Sequence, residues 1–224
     1  MAAAIESSYL NHITAALQQH WPSNRAVNIV CHGHSVPSGY FATPVVDAMN
    51  AYPHLLRAKL AERFPFAVMN VIVTAIGGEQ SEQGAERFGS EVLTHRPDVL
   101  TIDYALNDRG LGLERAGAAW RSMIEAALAQ GTKVILMTPT WESSYADPQS
   151  DAWRQLCAHR DQVVALAEEY GVGLMDSFGL FEDYAARGGQ GSDLLSWVNH
   201  PNRKGHELVA EGLLRWFNYL NWRP

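Results

Sequence analysis

The chain has 224 residues, of which 47% are hydrophobic and 18% charged, with a formal net charge of −7 and a pI of about 5.7. That length suits one α/β domain spanning 1–224 with an ordinary core. An acidic chain without a Lys/Arg run is a poor partner for nucleic acid, and no stretch is long and apolar enough to span a membrane. Two cysteines far apart, Cys31 and Cys157, form no disulfide framework. The N-terminus lacks the basic-then-apolar order of a signal peptide, so a cytoplasmic location is expected.

A helical pattern covers 6–20, broken by Pro22 and Ser23, and the apolar run 27–31 reads as a first strand. A loop over 32–43 leads to a helix expected from Pro44 to 63, kinked or divided at Pro53. A second strand follows at 67–73, a polar helical stretch at 79–95, and a third strand at 99–102 after Pro97. The clearest helix is 113–130, closed by Gly131. A fourth strand at 133–138, a helix at 151–170 ended by Gly171, a short strand at 172–175 and a last helix at 202–216 complete the chain. The strands are near-continuous apolar runs, as in strands buried on both faces. Their alternation with helices predicts a central, mostly parallel five-stranded sheet inside a three-layer α/β/α sandwich.

Open α/β sheets gather functional groups beyond the carboxyl ends of their strands, and chemistry-bearing residues occur there. After the first strand comes Cys31-His32-Gly33-His34-Ser35, a serine placed where strand gives way to helix. Gly77-Gly78 follows the second strand and lets the backbone approach a ligand. Asp103-Tyr104-Ala105-Leu106-Asn107-Asp108 follows the third, and an Asn amide there can donate to a developing oxyanion. Before the last helix stands Trp197-Val198-Asn199-His200-Pro201-Asn202-Arg203-Lys204-Gly205-His206, and histidine is the side chain best poised as a base near neutral pH. Each motif alone also fits a turn without chemistry.

In this order, the four resemble the motifs of the SGNH (GDSL-like) hydrolase family, whose Ser, Gly, Asn and His match Ser35, Gly78, Asn107 and His200. The resemblance implies a flavodoxin-like fold, a serine esterase without cofactor or metal, and a small-molecule or carbohydrate ester as partner. It also implies Ser35 as nucleophile, His200 as base, and an oxyanion hole of Ser35 N–H, Gly78 N–H and the Asn107 amide. An O-acetyl ester of a carbohydrate is the expected substrate, and His34, Tyr40, Asp108 and Trp197 are candidate substrate contacts. Phe41, Trp141 and Tyr145 are further loop aromatics, while Trp216, Phe217, Tyr219 and Trp222 suggest a packed helix face or an oligomer contact.

Three departures stand out. His34 replaces the aspartate of the usual Gly-Asp-Ser, and Ala105 replaces the glycine of the third motif. Trp197 sits where the family places the aspartate that orients the histidine. A backbone carbonyl, Asp193 or Asp176 is the candidate substitute. A lipase or thioesterase, a binding module that has lost catalysis, and a metal-dependent hydrolase using His32 and His34 are the alternatives.

Overall fold

The computed structural model describes residues 2–219. Five strands, β1 (Ala26–Gly33), β2 (Val68–Val73), β3 (Val99–Asp103), β4 (Lys133–Met137) and β5 (Gly173–Met175), form one sheet in the order β2-β1-β3-β4-β5. Every pairing is parallel. The helices are α1 (Asn11–Leu17), α2 (Ser35–Ser38), α3 (Tyr52–Arg63), α4 (Ser81–Glu86), α5 (Phe88–Glu91), α6 (Ala105–Asp108), α7 (Leu113–Ala129), α8 (Asp151–Tyr170), α9 (Ser177–Ala186) and α10 (Arg203–Leu214).

Strand periodicity builds the two cores. Val27, Ile29 and Cys31 of β1 point to a layer with Leu56 and Leu60 of α3 and Val209 and Leu213 of α10. Val30, Leu100 and Leu136 point to the opposite layer, with Trp120 and Met123 of α7 and Val163 of α8. Helices therefore cover both faces, which explains the unbroken apolar strands. Burial drives the Cys31 thiol up to about 12, as for an inert core residue. Ser150 caps α8 by accepting from Trp153 N–H, and Gly171 ends it at φ +63°.

Several elements differ from expectation. The helix predicted from Pro44 starts only at Tyr52, so Pro53 lies in the first turn of α3, where its missing N–H is harmless, and makes no kink. Residues 44–51 instead carry an antiparallel bridge, Tyr40 with Val46, and a 3₁₀ turn at Ala48–Asn50. The stretch 79–95 divides into α4, α5 and a 3₁₀ turn at Leu93–His95. The first helix shrinks to Asn11–Leu17. Helix α9, absent from the expectation, is capped by Asp176, which accepts from Gly179 N–H. Trp216 and Phe217 are buried, Trp216 edge-on to Tyr9, whereas Tyr219 is exposed and stacks on Phe64. Trp222 lies outside the described residues.

Candidate active site

The carboxyl ends of β1, β2 and β3 and the loop before α10 meet around one open pocket of about 300 Å³. Ser35, Gly78, Asn107 and His200, widely spaced in sequence, all line it, together with Tyr40 and Thr43. β1 and β3 converge closely beneath Ser35. A Cβ on Gly33 would stand 2.4 Å from the Asp103 carbonyl oxygen, so only glycine permits this approach. His34 N–H donates to that same carbonyl at 3.2 Å. The His34 ring then caps the single turn α2, its Nδ1 accepting from Val36 N–H, and Gly39 closes the turn at φ +91°.

Ser35 Oγ lies 2.9 Å from His200 Nε2. His200 Nδ1 faces the Phe41 carbonyl oxygen at 2.7 Å. A carbonyl only accepts, so Nδ1 carries the proton and Nε2 of the neutral ring is bare toward the hydroxyl. Burial lowers the His200 pKa, the Phe41 carbonyl raises it by less, and the neighbouring His34 lowers it slightly further. This is the geometry of an activated hydroxyl: a base oriented by a second group and aimed at Oγ.

Gly78 follows β2 with φ +84°, a conformation that favours glycine, and a Cβ there would meet nothing within 4 Å. The tight neighbour is Gly77, where a Cβ would stand 2.7 Å from the Tyr40 ring. Asn107 sits on α6 and donates one amide hydrogen to the Glu79 carbonyl at 2.8 Å, which fixes the amide and leaves its second hydrogen.

The other candidates divide. Tyr40 lines the pocket, its ring 6.0 Å from that of His200. Asp108 is fully buried behind Asn107 and accepts from Trp120 Nε1–H at 2.7 Å and Ser81 N–H at 2.8 Å, so it supports the site from below and is not presented to a ligand. Trp197 is 65% exposed. Asp193 is not brought to His200. A 3₁₀ turn at Gly191–Leu194 directs its carboxylate to Tyr184 OH at 2.9 Å and Gln190 N–H at 3.0 Å. Asp176 accepts from Thr138 Oγ1–H at 2.8 Å and caps α9. The group that faces His200 Nδ1 is thus the backbone carbonyl of Phe41.

His32 and His34 point to different partners. His32 contacts Thr74 Oγ1 and Tyr104 OH, and burial lowers its pKa to about 3, whereas His34 faces Ser35 and Asp103. Among the described residues no group of three or more His, Cys, Asp or Glu is placed to hold a metal ion. Thr43 and Asn199 also line the pocket and Asp103 faces His34, three residues that the sequence motifs do not single out. Asp103 carried one signal, since it is the last residue of β3 and stands in register with Gly33.

The model of the GDSL-like Lipase/Acylhydrolase family matches residues 31–208, and the chain belongs to that family. It is an ester hydrolase of the SGNH type. Among solved structures it is similar to Axe2, an acetylxylan esterase from Geobacillus stearothermophilus, at 21% identity and TM-score 0.75, over 88% of this chain and 97% of that one. A catalytic mutant of Axe2 with an aspartate replaced by alanine matches equally. So does LAE5, an α/β hydrolase enzyme from the metagenome of Lake Arreo, Spain, at 21% identity and TM-score 0.75 over the same shares. At this identity the likeness establishes the fold. No curated protein matches the sequence. Among the described residues no helix is long and apolar enough to cross a membrane.

Proposed function

We propose that the protein is a serine esterase that removes short acyl groups, foremost O-acetyl groups, from carbohydrates. The observation that carries this reading is Ser35 Oγ held 2.9 Å from His200 Nε2 at a pocket of about 300 Å³. That volume lies at the small end of ligand sites and suits an acetyl group better than a long acyl chain. The carbohydrate half is supported by the shared fold with an acetylxylan esterase.

Ser35 Oγ attacks the ester carbonyl carbon, and its proton passes to His200 Nε2. The carbonyl electron pair moves onto oxygen, where the N–H groups of Ser35 and Gly78 and the free Asn107 amide hydrogen receive it. On collapse the carbon–oxygen bond to the sugar breaks, and His200 returns the proton to the leaving oxygen. Water then attacks the acyl-Ser35 by the same steps and releases acetate. The Phe41 carbonyl orients the imidazole, and Tyr40 shapes the acyl side.

The test pairs a serine-directed fluorophosphonate with turnover of acetylated xylo-oligosaccharides. A single adduct on Ser35, absent from Ser35→Ala, is expected, with sugar-ester turnover falling by about 10³-fold or more in His200→Ala. A folded wild-type protein that forms no adduct on Ser35 would overturn the reading.

A further inference from the structure

Ser35 Oγ has a second imidazole partner. His34 Nδ1 stands 3.2 Å from it, on a ring that is buried and outside the pocket lining. On the far side of that ring, His34 Nε2 faces Asp103 Oδ1 at 3.4 Å. Asp103 is itself buried at the end of β3 and is approached by Tyr52 OH at 3.4 Å.

The proton inventory is unusual. Val36 N–H points at His34 Nδ1, so neutral His34 carries its proton on Nε2, which lies at ion-pair distance from Asp103 without a hydrogen bond to it. Its unprotonated Nδ1 then shares one lone pair between Val36 N–H at 3.4 Å and the Ser35 hydroxyl at 3.2 Å. Two unprotonated imidazole nitrogens, His200 Nε2 at 2.9 Å and His34 Nδ1 at 3.2 Å, therefore converge on one hydroxyl proton. Their charged forms differ. An imidazolium at His200 faces the Phe41 carbonyl dipole, whereas one at His34 faces a buried carboxylate at ion-pair distance, an attraction that strengthens as the ring takes up a proton in a poorly solvated site.

We infer that His34, backed by Asp103, is a second general base for Ser35, able to take the hydroxyl proton when the leaving group departs without one. In that step the Oγ–acyl (or Oγ–phosphorus) bond forms and the Oγ–H proton moves to His34 Nδ1. On collapse, the bond to the leaving group breaks and the group departs with its electron pair as a stable anion, such as fluoride or p-nitrophenolate. A sugar alkoxide leaves too poorly for this route. It needs a proton from His200, which unlike His34 lines the pocket. His34 is thus a further catalytic residue, and Asp103 is a positioning residue that acts through it.

The inference rests on Ser35 as nucleophile, and the experiment separates the two. Fluorophosphonate labelling rates of Ser35 are measured in wild type, His200→Ala, and His200→Ala combined with His34→Gln or Asp103→Asn, beside turnover of acetylated xylo-oligosaccharide. In His200→Ala, labelling is expected to stay within about 100-fold of wild type while sugar-ester turnover is lost. Either second substitution should then slow labelling at least about tenfold further. Asp103→Asn conserves shape and carries the test if His34→Gln fails to fold. Double variants that label as fast as His200→Ala overturn the second base. A wild-type protein without a Ser35 adduct overturns the nucleophile instead.

Discussion

The two sides of Ser35 are built by different means. On the strand side, His34 caps and Asn107 sits on single helical turns that follow β1 and β3, and each has a buried carboxylate behind it. Asp103 faces His34, and Asp108 supports α6 from below. On the C-terminal side, His200 hangs from an irregular loop stapled by a Leu195–Pro201 bridge and by Asn202, whose side chain donates to the carbonyls of Asp193 and Leu195. There, compensation is by neutral groups. The Phe41 carbonyl meets His200 Nδ1, and the Phe41 ring packs 5.0 Å from that of His206. His206 is buried, accepts from Tyr52 N–H at 3.2 Å through Nδ1, and has no carboxylate among its hydrogen-bond partners. The contrast teaches that strand ends supply buried carboxyl groups, whereas the loop supplies an imidazole whose position depends on long-range docking.

The largest effect is expected on the strand side. Replacing Asp108 by alanine leaves the indole N–H of Trp120 and the amide of Ser81 buried without an acceptor. A loss of about 3 kcal/mol is expected, read as a lower urea midpoint at unchanged slope. A loss below about 1 kcal/mol would mean that Asp108 is not a structural support and would return it to the candidate substrate contacts.

The C-terminal side should reveal its neutrality through acid. Burial pushes His206 down to about 3 from an ordinary value of 6.5. The unfolded chain binds that proton near 6.5 and the folded chain only near 3, so stability is full above 6.5 and falls as the pH drops between the two. The slope reaches about 1.4 kcal/mol per pH unit for this group. His32, also lowered to about 3 by burial, adds in the same direction. His206→Gln, whose amide oxygen can accept from Tyr52 N–H, should reduce the stability difference between pH 7.5 and pH 5.5 by about 1 kcal/mol. An unchanged difference would mean that His206 is protonated in the folded protein and has found a partner there.

The strand side was also the legible side. Parallel strands buried on both faces announce themselves as apolar runs, which places the turns carrying Ser35, Gly78 and Asn107 at strand carboxyl ends, and the family resemblance singles out these three residues among them. Helix ends set by local chemistry, such as Gly131 and Gly171, were equally readable. No helix starts at Pro44 because the local bridge between Tyr40 and Val46 closes a turn there and a 3₁₀ turn follows at Ala48–Asn50, local turn geometry that helix propensity does not contain. Asp193 failed for a related reason. Sequence distance from His200 suggested reach, but the turn at Gly191–Leu194 commits the carboxylate to Tyr184 and Gln190. The partner of His200 is a main-chain oxygen from a segment 159 residues earlier, and no residue type encodes a carbonyl.

Trp197 gives the smallest and most discriminating expectation. It lies three residues before His200, where related sequences carry the orienting aspartate, so Trp197→Asp restores the familiar pattern on paper. In the molecule the position is 65% exposed, and the one proton on His200 Nδ1 is already given to the Phe41 carbonyl at 2.7 Å. A carboxylate introduced there must displace that carbonyl, and from an exposed position its attraction for an imidazolium is worth at most about 1 kcal/mol. The change in kcat/KM for acetylated xylo-oligosaccharide should therefore stay below about fivefold. A gain well above tenfold would show that the loop can swing an aspartate onto His200 and that the Phe41 carbonyl is a weak stand-in. The C-terminal side would then work by charge as the strand side does, and the difference between them would be an accident of one residue.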